Sequence, residues 1–243
     1  MPPKLLILGG TLEASALARA VAKMGMAANL SYAGRVERLK EQPIPLRVGG
    51  FGGVCGLAQY LRDHKITHVV DATHPFAAQM SKNAVAACRQ TATQLLALTR
   101  PPWRRGAGDD WQHACDIAAA VTALSGPEKR VMLAIGRMHL AQFSRSPHHW
   151  YLLRLVDPPD VPPPLPHHHI IISRGPFTVA ADAALLQDHD IDLVVAKNAG
   201  GSGAQAKILA ARPLGLPGVL SDRPVVPPRD EVGSVDAVLD WLA

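Results

Sequence analysis

The residue types able to do chemistry cluster in short segments that follow apolar runs. The first is Asp71-Ala72-Thr73-His74-Pro75, which brings a carboxylate, a hydroxyl and an imidazole within four residues. Groups of this kind hold and move protons, so Asp71 and His74 are candidate catalytic residues and Thr73 a candidate substrate contact. A histidine beside a helix start can equally serve as a cap. The second segment is Lys197-Asn198-Ala199-Gly200-Gly201-Ser202-Gly203. It makes Lys197 the third candidate catalytic residue and Gly200, Gly201 and Ser202 candidate substrate contacts. It is not an NTPase phosphate loop, because Ala204 follows Gly203 and Lys207 comes too late for G-x-x-x-x-G-K-[ST]. His148-His149 and His167-His168-His169 alternate sides of an extended chain, with no carboxylate or cysteine at ligand spacing, so no metal is expected.

Both segments require strands that end where they begin. Residues 67–71 and 192–196 are short apolar runs of the kind that form buried parallel strands, and open α/β sheets bind ligands at the carboxyl ends of such strands. If the two halves face one cleft, Asp71 and Lys197 meet across it. Pro75 is welcome at a first helical position, so a helix is predicted over residues 75–89.

The stretch that organises the chain is residues 4–21. Four apolar residues run into Gly9-Gly10, and Leu12, Ala16, Leu17 and Ala20 then share one helical face. A glycine turn before a helix aims unpaired N–H groups at a phosphate. Of the fingerprint G-x-G-x-x-G/A, Gly9 and Ala14 comply and Thr11 does not, although its hydroxyl can donate to a pyrophosphate and Gly10 restores room. The cofactor set here is Gly9, Gly10, Thr11, Leu12 and Glu13. The second predicted strand, residues 28–33, ends without the acidic residue that would hold free ribose hydroxyls. It offers Ser31 and Arg35, a pairing that favours a 2′-phosphate and therefore NADPH. A third strand, residues 46–48, runs into GGFGG, where Gly50, Phe51, Gly52 and Gly53 border the nicotinamide or ribose end, Phe51 packing on a ring, or else form a flexible loop.

Strands and helices alternate in both halves, which gives an α/β fold with mainly parallel sheets flanked by helices. The glycine-bearing stretch 106–110 reads as a hinge, dividing the chain into residues 1–106 and 107–243. In the second half, strands are predicted at residues 131–135, 150–156, 170–173, 192–196 and 218–221, with a closing helix over 235–242. Six prolines between residues 158 and 166 make a stiff surface loop.

Composition narrows the function further. The 243 residues are 48% hydrophobic, ample for a core, and no run approaches the ~18 apolar residues of a membrane span. Cys55, Cys88 and Cys115 are an odd count without metal-ligand spacing, as in a reduced cytoplasmic protein. The net charge of +5 suits a polyanionic partner. Basic residues are not interleaved with aromatics, so a nucleic-acid partner is not expected. A multi-carboxylate small molecule with a phosphorylated cofactor fits.

Four segments together, ILGGTLEA, DATHPFA with MSKNA, SRGPF, and KNAGGSGAQAK with AARPLGLP, resemble the precorrin-6A (precorrin-6x) reductase family of cobalamin biosynthesis over residues 7–217. The resemblance implies two Rossmann-like domains with the substrate between them. It implies NADPH-dependent reduction of one double bond of the precorrin-6A macrocycle to give precorrin-6B. On that reading Arg100, Arg174 and Lys197 hold the carboxylates of the tetrapyrrole, and His74 or a water supplies the proton. Ala199 stands where the family often has serine, so that position has no hydrogen-bonding role. A monomer or weak homodimer is expected. Two other readings are a reductase of the cobalt-bearing macrocycle and a non-catalytic NADPH-sensing module. A short-chain reductase is disfavoured, since none of Tyr32, Tyr60 or Tyr151 is followed four residues on by lysine.

Overall fold

The computed structural model describes residues 2–34 and 41–243. Arg35, the anticipated 2′-phosphate residue, lies outside the described residues. The chain forms two units, Met1–Pro101 with Pro224–Ala243, and Pro102–Arg223.

In the first unit β1 (Lys4–Leu8), β2 (Ala27–Tyr32), β3 (Leu46–Val48), β4 (His68–Asp71), β5 (Gln94–Leu98) and a short closing strand (Glu231–Val232) make one parallel sheet. The spatial order is closing strand-β5-β4-β1-β2-β3, so the direction of winding reverses between β1 and β4. β1 is apolar from Leu5 to Leu8 because both its faces are covered. Leu5 and Ile7 pack with α1 (Leu12–Lys23) and the final helix (Val235–Leu242), whereas Leu6 and Leu8 pack with α2 (Gly53–Asp63) and α3 (Ala78–Thr91).

The second unit is built the same way. β6 (Trp111–Ala114), β7 (Arg130–Ala134), β8 (Trp150–Leu155), β9 (His168–Ile172), β10 (Leu193–Lys197) and β11 (Gly218–Ser221) form a parallel sheet in the order β6-β11-β10-β7-β8-β9. Its helices are α4 (Ile117–Thr122), a 3-10 helix (Arg137–Arg145), α5 (Val179–Asp188) and α6 (Ala206–Ala211). With the labels completed, Glu231–Val232 is β12 and Val235–Leu242 is α7.

The division at residue 106 is corrected in two ways. The crossing points lie after Pro101 and after Arg223. Trp103 is buried with Trp111, Ala196, Ile208 and Leu220, which commits it to the second unit ahead of the anticipated hinge. The 106–110 stretch is a tied turn, with the Gly106 N–H donating 2.7 Å to the Asp109 carboxylate and Arg212 gripping the same group at 2.8 Å. The tail, in turn, belongs to the first unit: the Thr99 N–H donates to the Val232 carbonyl, and Val238 and Leu242 enter the core around Ile7 and Leu17. Neither β6, whose middle residues are exposed at the sheet edge, nor two-residue β12 carries enough apolar pattern to be read from sequence.

Candidate functional site

At the β1–α1 turn the glycines have separate reasons. A Cβ on Gly9 would sit 2.6 Å from the Leu30 side chain and 3.1 Å from the Tyr32 ring, so a larger residue there would have to displace both where the chain leaves β1. Gly10 has φ +120° and open space where its Cβ would be. Thr11 is the N-cap of α1: its hydroxyl accepts the Ala14 N–H at 3.1 Å and donates to the Ala72 carbonyl at 2.7 Å. That corrects the expectation of a pyrophosphate donor, because its single proton ties the turn to the end of β4. The amides of Leu12 and Glu13 have no acceptor among the described residues and remain available to an anion. The Leu12 side chain is 63% exposed. Glu13 pairs with Arg100 at 2.7 Å, so Arg100 is tied to the first turn of α1 instead of standing as a bare carboxylate grip.

At the end of β4 the Asp71 side chain is buried and fully used. One oxygen accepts the Thr73 N–H at 3.1 Å and the Thr73 hydroxyl at 2.7 Å, and the other accepts the Ser81 hydroxyl at 2.6 Å and the Arg229 guanidinium. A carboxylate so engaged organises a loop and has no lone pair to spare for a reacting proton. His74 accepts the Phe76 N–H on Nδ1 at 3.2 Å, and its carbonyl accepts the Ala77 N–H at 2.7 Å. The acceptor role of Nδ1 puts the ring proton on Nε2, which makes His74 a hydrogen-bond donor. These bonds close a turn over His74–Ala77, and α3 begins at Ala78, with Ala77 as its N-cap, instead of at Pro75. Cys88, on the buried face of α3, is an inert core thiol, pushed up to about 12 by burial with the Asp71 charge adding.

Sequence reasoning passed over Arg47. It faces Ser31 in the β2–β3 register, with a guanidinium NH 3.5 Å from the Ser31 hydroxyl. The same group donates to the carbonyls of Gly49 and, at 2.9 Å, Gly50, and lies 3.9 Å from the Phe51 ring centroid. The signal was an arginine two residues before a glycine-rich loop. Phe51 is therefore covered by Arg47 and, edge-on at 5.1 Å, by Tyr60. Gly52 and Gly53 carry φ of +78° and +83° to turn this loop into α2.

In the second unit Asn198 clamps the Trp103 backbone, accepting its N–H at 2.7 Å and donating to its carbonyl at 3.0 Å, while the Trp103 indole donates to the Gly201 carbonyl at 2.7 Å. Lys-Asn-Ala-Gly-Gly thus binds the irregular segment around Trp103. Gly200 is buried and Ser202 exposed, with Lys197 half-buried at the end of β10. Arg174 pairs with Asp157 and accordingly carries less free charge than expected. A cavity of about 320 Å³ lies beside Trp103, lined by Arg104, Arg105, His113, Asn198, Asp222 and Arg223, so it presents three guanidiniums at the ends of β6, β10 and β11. His149 is a core histidine bonded to the Lys129 N–H and Leu124 carbonyl, and no metal-holding cluster occurs among the described residues.

Lys207, dismissed as a phosphate-loop lysine, is buried under Trp103 at 5.1 Å and donates to the Ala204 carbonyl. Burial, with Arg154 nearby, brings it down to about 7. Its unfolded-state value is near the ordinary 10.5. The unfolded chain then binds more protons between those values, so the cost of Lys207 is full below pH 7 and relieved as pH rises toward 10. Lys207→Met should remove a rise in stability of up to about 1.4 kcal/mol per pH unit, read as urea midpoints of both proteins at pH 7 and 9.

The sheet order, the glycine turn at the β1–β4 reversal and the second parallel-sheet unit define a Rossmann-like α/β protein. This chain belongs to the precorrin-6x reductase family, whose model, described as Precorrin-6x reductase CbiJ/CobK, matches residues 4–243. It is 58% identical over 240 residues to the Precorrin-6A reductase of Rhodobacter capsulatus, covering 99% of this chain and 96% of that protein. A Sinorhizobium Precorrin-6A reductase is 44% identical over 246 residues, covering 99% and 94%. The solved structure of a CobK precorrin-6A reductase superposes with TM-score 0.96 at 57% identity, covering 99% of this chain and 96% of that one. The chain is thus an oxidoreductase of cobalamin biosynthesis, and among the described residues no helix is long and apolar enough to cross a membrane.

Proposed function

We propose that this chain uses NADPH to reduce one carbon–carbon double bond of the precorrin-6A macrocycle, giving precorrin-6B. The observation that carries the reading is the open glycine turn at the start of α1, at the reversal of the strand order, where a dinucleotide pyrophosphate is held. The residues present fit such a group: Gly10 leaves the approach clear, the Leu12 and Glu13 amides are available, and Arg100 offsets the Glu13 charge beside them. A reduced nicotinamide supplies the hydride when bound, and a proton completes the reduction.

The protein's part is placement and charge. Asp71, drawing in Thr73, Ser81 and Arg229, fixes the loop at the end of β4. Thr73 has spent its proton on Asp71, so its oxygen is an acceptor suited to a pyrrolic N–H. His74 offers its Nε2–H to a macrocycle oxygen or nitrogen, and water delivers the proton to carbon. Lys197, Arg174 and the arginine-lined cavity beside Trp103 take peripheral carboxylates, with Gly200, Gly201 and Ser202 along the same loop. The metal-free macrocycle is favoured over the cobalt-bearing one. The relatives named for cobalt-precorrin-6A, such as that of Methanothermobacter thermautotrophicus, are at 31% identity and below. Three unbridged cysteines support a cytoplasmic setting, and a monomer or weak homodimer is the expected state.

The test mixes purified protein with precorrin-6A and NADPH without oxygen, following nicotinamide absorbance and the macrocycle spectrum. Stoichiometric NADPH loss with a new macrocycle spectrum is expected. Tight NADPH binding with no oxidation would sink the proposal, redirecting it to the cobalt-bearing substrate and then to a sensing role.

A further inference from the structure

We infer that Arg47, at the carboxyl end of β3, recognises the 2′-phosphate of the cofactor. This rests on the NADPH reading and goes beyond it by assigning the residue that separates NADPH from NADH. In a doubly wound sheet the β1–β2–β3 half takes one mononucleotide, and the residue near the end of β2 reads the ribose 2′ position. β3 lies outermost on that side, beyond β2, with Arg47 in register with Ser31. The GGFGG loop accordingly belongs with the adenosine ribose, not the nicotinamide.

Three features make Arg47 a built site and not a solvated arginine. Its guanidinium is held in one plane by the Gly49 and Gly50 carbonyls and by stacking on Phe51 at 3.9 Å. Among the described residues no carboxylate pairs with it, and its Nε–H has no partner. A fixed positive charge is thus left with an unused donor among the described residues, whereas Arg100 and Arg229 of the same unit are bound in salt bridges. Finally, among the described residues no acidic side chain stands at the end of β2 to repel a phosphate, where Ser31 is buried against Arg47 and Gly34 turns the chain at φ +76°. A planar fork with fixed orientation and a free edge is matched to a phosphate oxygen pair, which a ribose hydroxyl cannot neutralise.

The experiment measures dissociation constants by calorimetry for NADP⁺, NAD⁺, adenosine 2′,5′-bisphosphate and AMP. The proteins are the wild type, Arg47→Ala, Arg47→Lys and Arg35→Ala. Arg47→Ala should weaken NADP⁺ and the bisphosphate by about 10–100-fold and leave NAD⁺ and AMP within about twofold. Arg47→Lys keeps the charge but loses the fork, so it should fall between, and it carries the test should the alanine variant fail to fold. Equal weakening of NADP⁺ and NAD⁺ would overturn the inference and make Arg47 a loop brace. So would a phosphate preference that survives in Arg47→Ala and vanishes in Arg35→Ala. A wild type that shows no preference for NADP⁺ would overturn the cofactor reading itself, and this inference with it.

Discussion

Asp71→Ala is expected to destabilise the protein by about 3–5 kcal/mol, measured as a fall in urea midpoint at unchanged slope. The Arg229 side chain is 9% exposed and the Asp71 side chain 1%. Removing the carboxylate leaves that guanidinium buried with only Glu231, which sits on the surface side at 3.2 Å. The Ser81 hydroxyl loses its acceptor, and Thr73 loses two bonds at once. Asp71→Asn keeps the shape but removes the charge, and an amide cannot accept at both ends, so it should recover only part of the loss. The reverse change, Arg229→Ala, should cost a comparable amount, and the double variant less than the sum, since the two share one network. Equal, additive losses would mean that the pair contributes nothing jointly. A stability unchanged in Asp71→Ala would show that the carboxylate is kept for the reaction and not for the fold. The kinetic consequence separates the roles as well. An organising Asp71 should raise KM for both cofactor and macrocycle, while a proton-transfer residue would lower kcat with KM unmoved.

The second large effect is expected at Asp182. It is buried on α5 and meets Arg154 of β8 at 3.0 Å, with side-chain exposures of 5% and 7%. Arg154 stacks 4.4 Å from Phe177, and its Nε has no partner, so Asp182 is the anion on which it depends. Lys207 lies in the same field, drawn down by Arg154 and up by Asp182. Asp182→Ala therefore strands one buried guanidinium and weakens the hold on a second cation. A loss of about 3–5 kcal/mol in chemical unfolding is expected. Replacing the pair together, Asp182→Leu with Arg154→Met, should return most of that stability, because an apolar pair of similar volume has no charge to desolvate. If the double replacement were as unstable as Asp182→Ala, the packing around Phe177 and not the stranded charge would be the cause.

Much of this was legible without coordinates, and the physical reasons are specific. β1 announced itself because both faces of a central parallel strand are buried, which forces an unbroken apolar run, and Gly9 because a side chain there would strike Leu30. The strands at residues 218–221 and 193–197 were visible on the same ground. β6 was not, since its interior pair Gln112-His113 faces solvent. The absence of an acid at the end of β2 was readable, and Arg47 lies on the strand paired with that end of β2.

The sequence alone determined the fold class, the glycine turn, the segments around Asp71 and Lys197, and through its motifs the family. Those are local facts, set by periodicity and by which residue types a turn or helix start tolerates. Only the tertiary structure decided which groups are spent. Asp71 meets Arg229 across 158 residues, and the Asn198 clamp on Trp103 spans 95. Glu13 meets Arg100 across 87 residues, and the tail from Pro224 closes the sheet that Lys4 opened. Chain order carries no information about such partners, because burial and charge pairing act between neighbours in space. Asp71 and Arg100, picked out in sequence as site residues, each meet a counter-ion that chain order does not reveal.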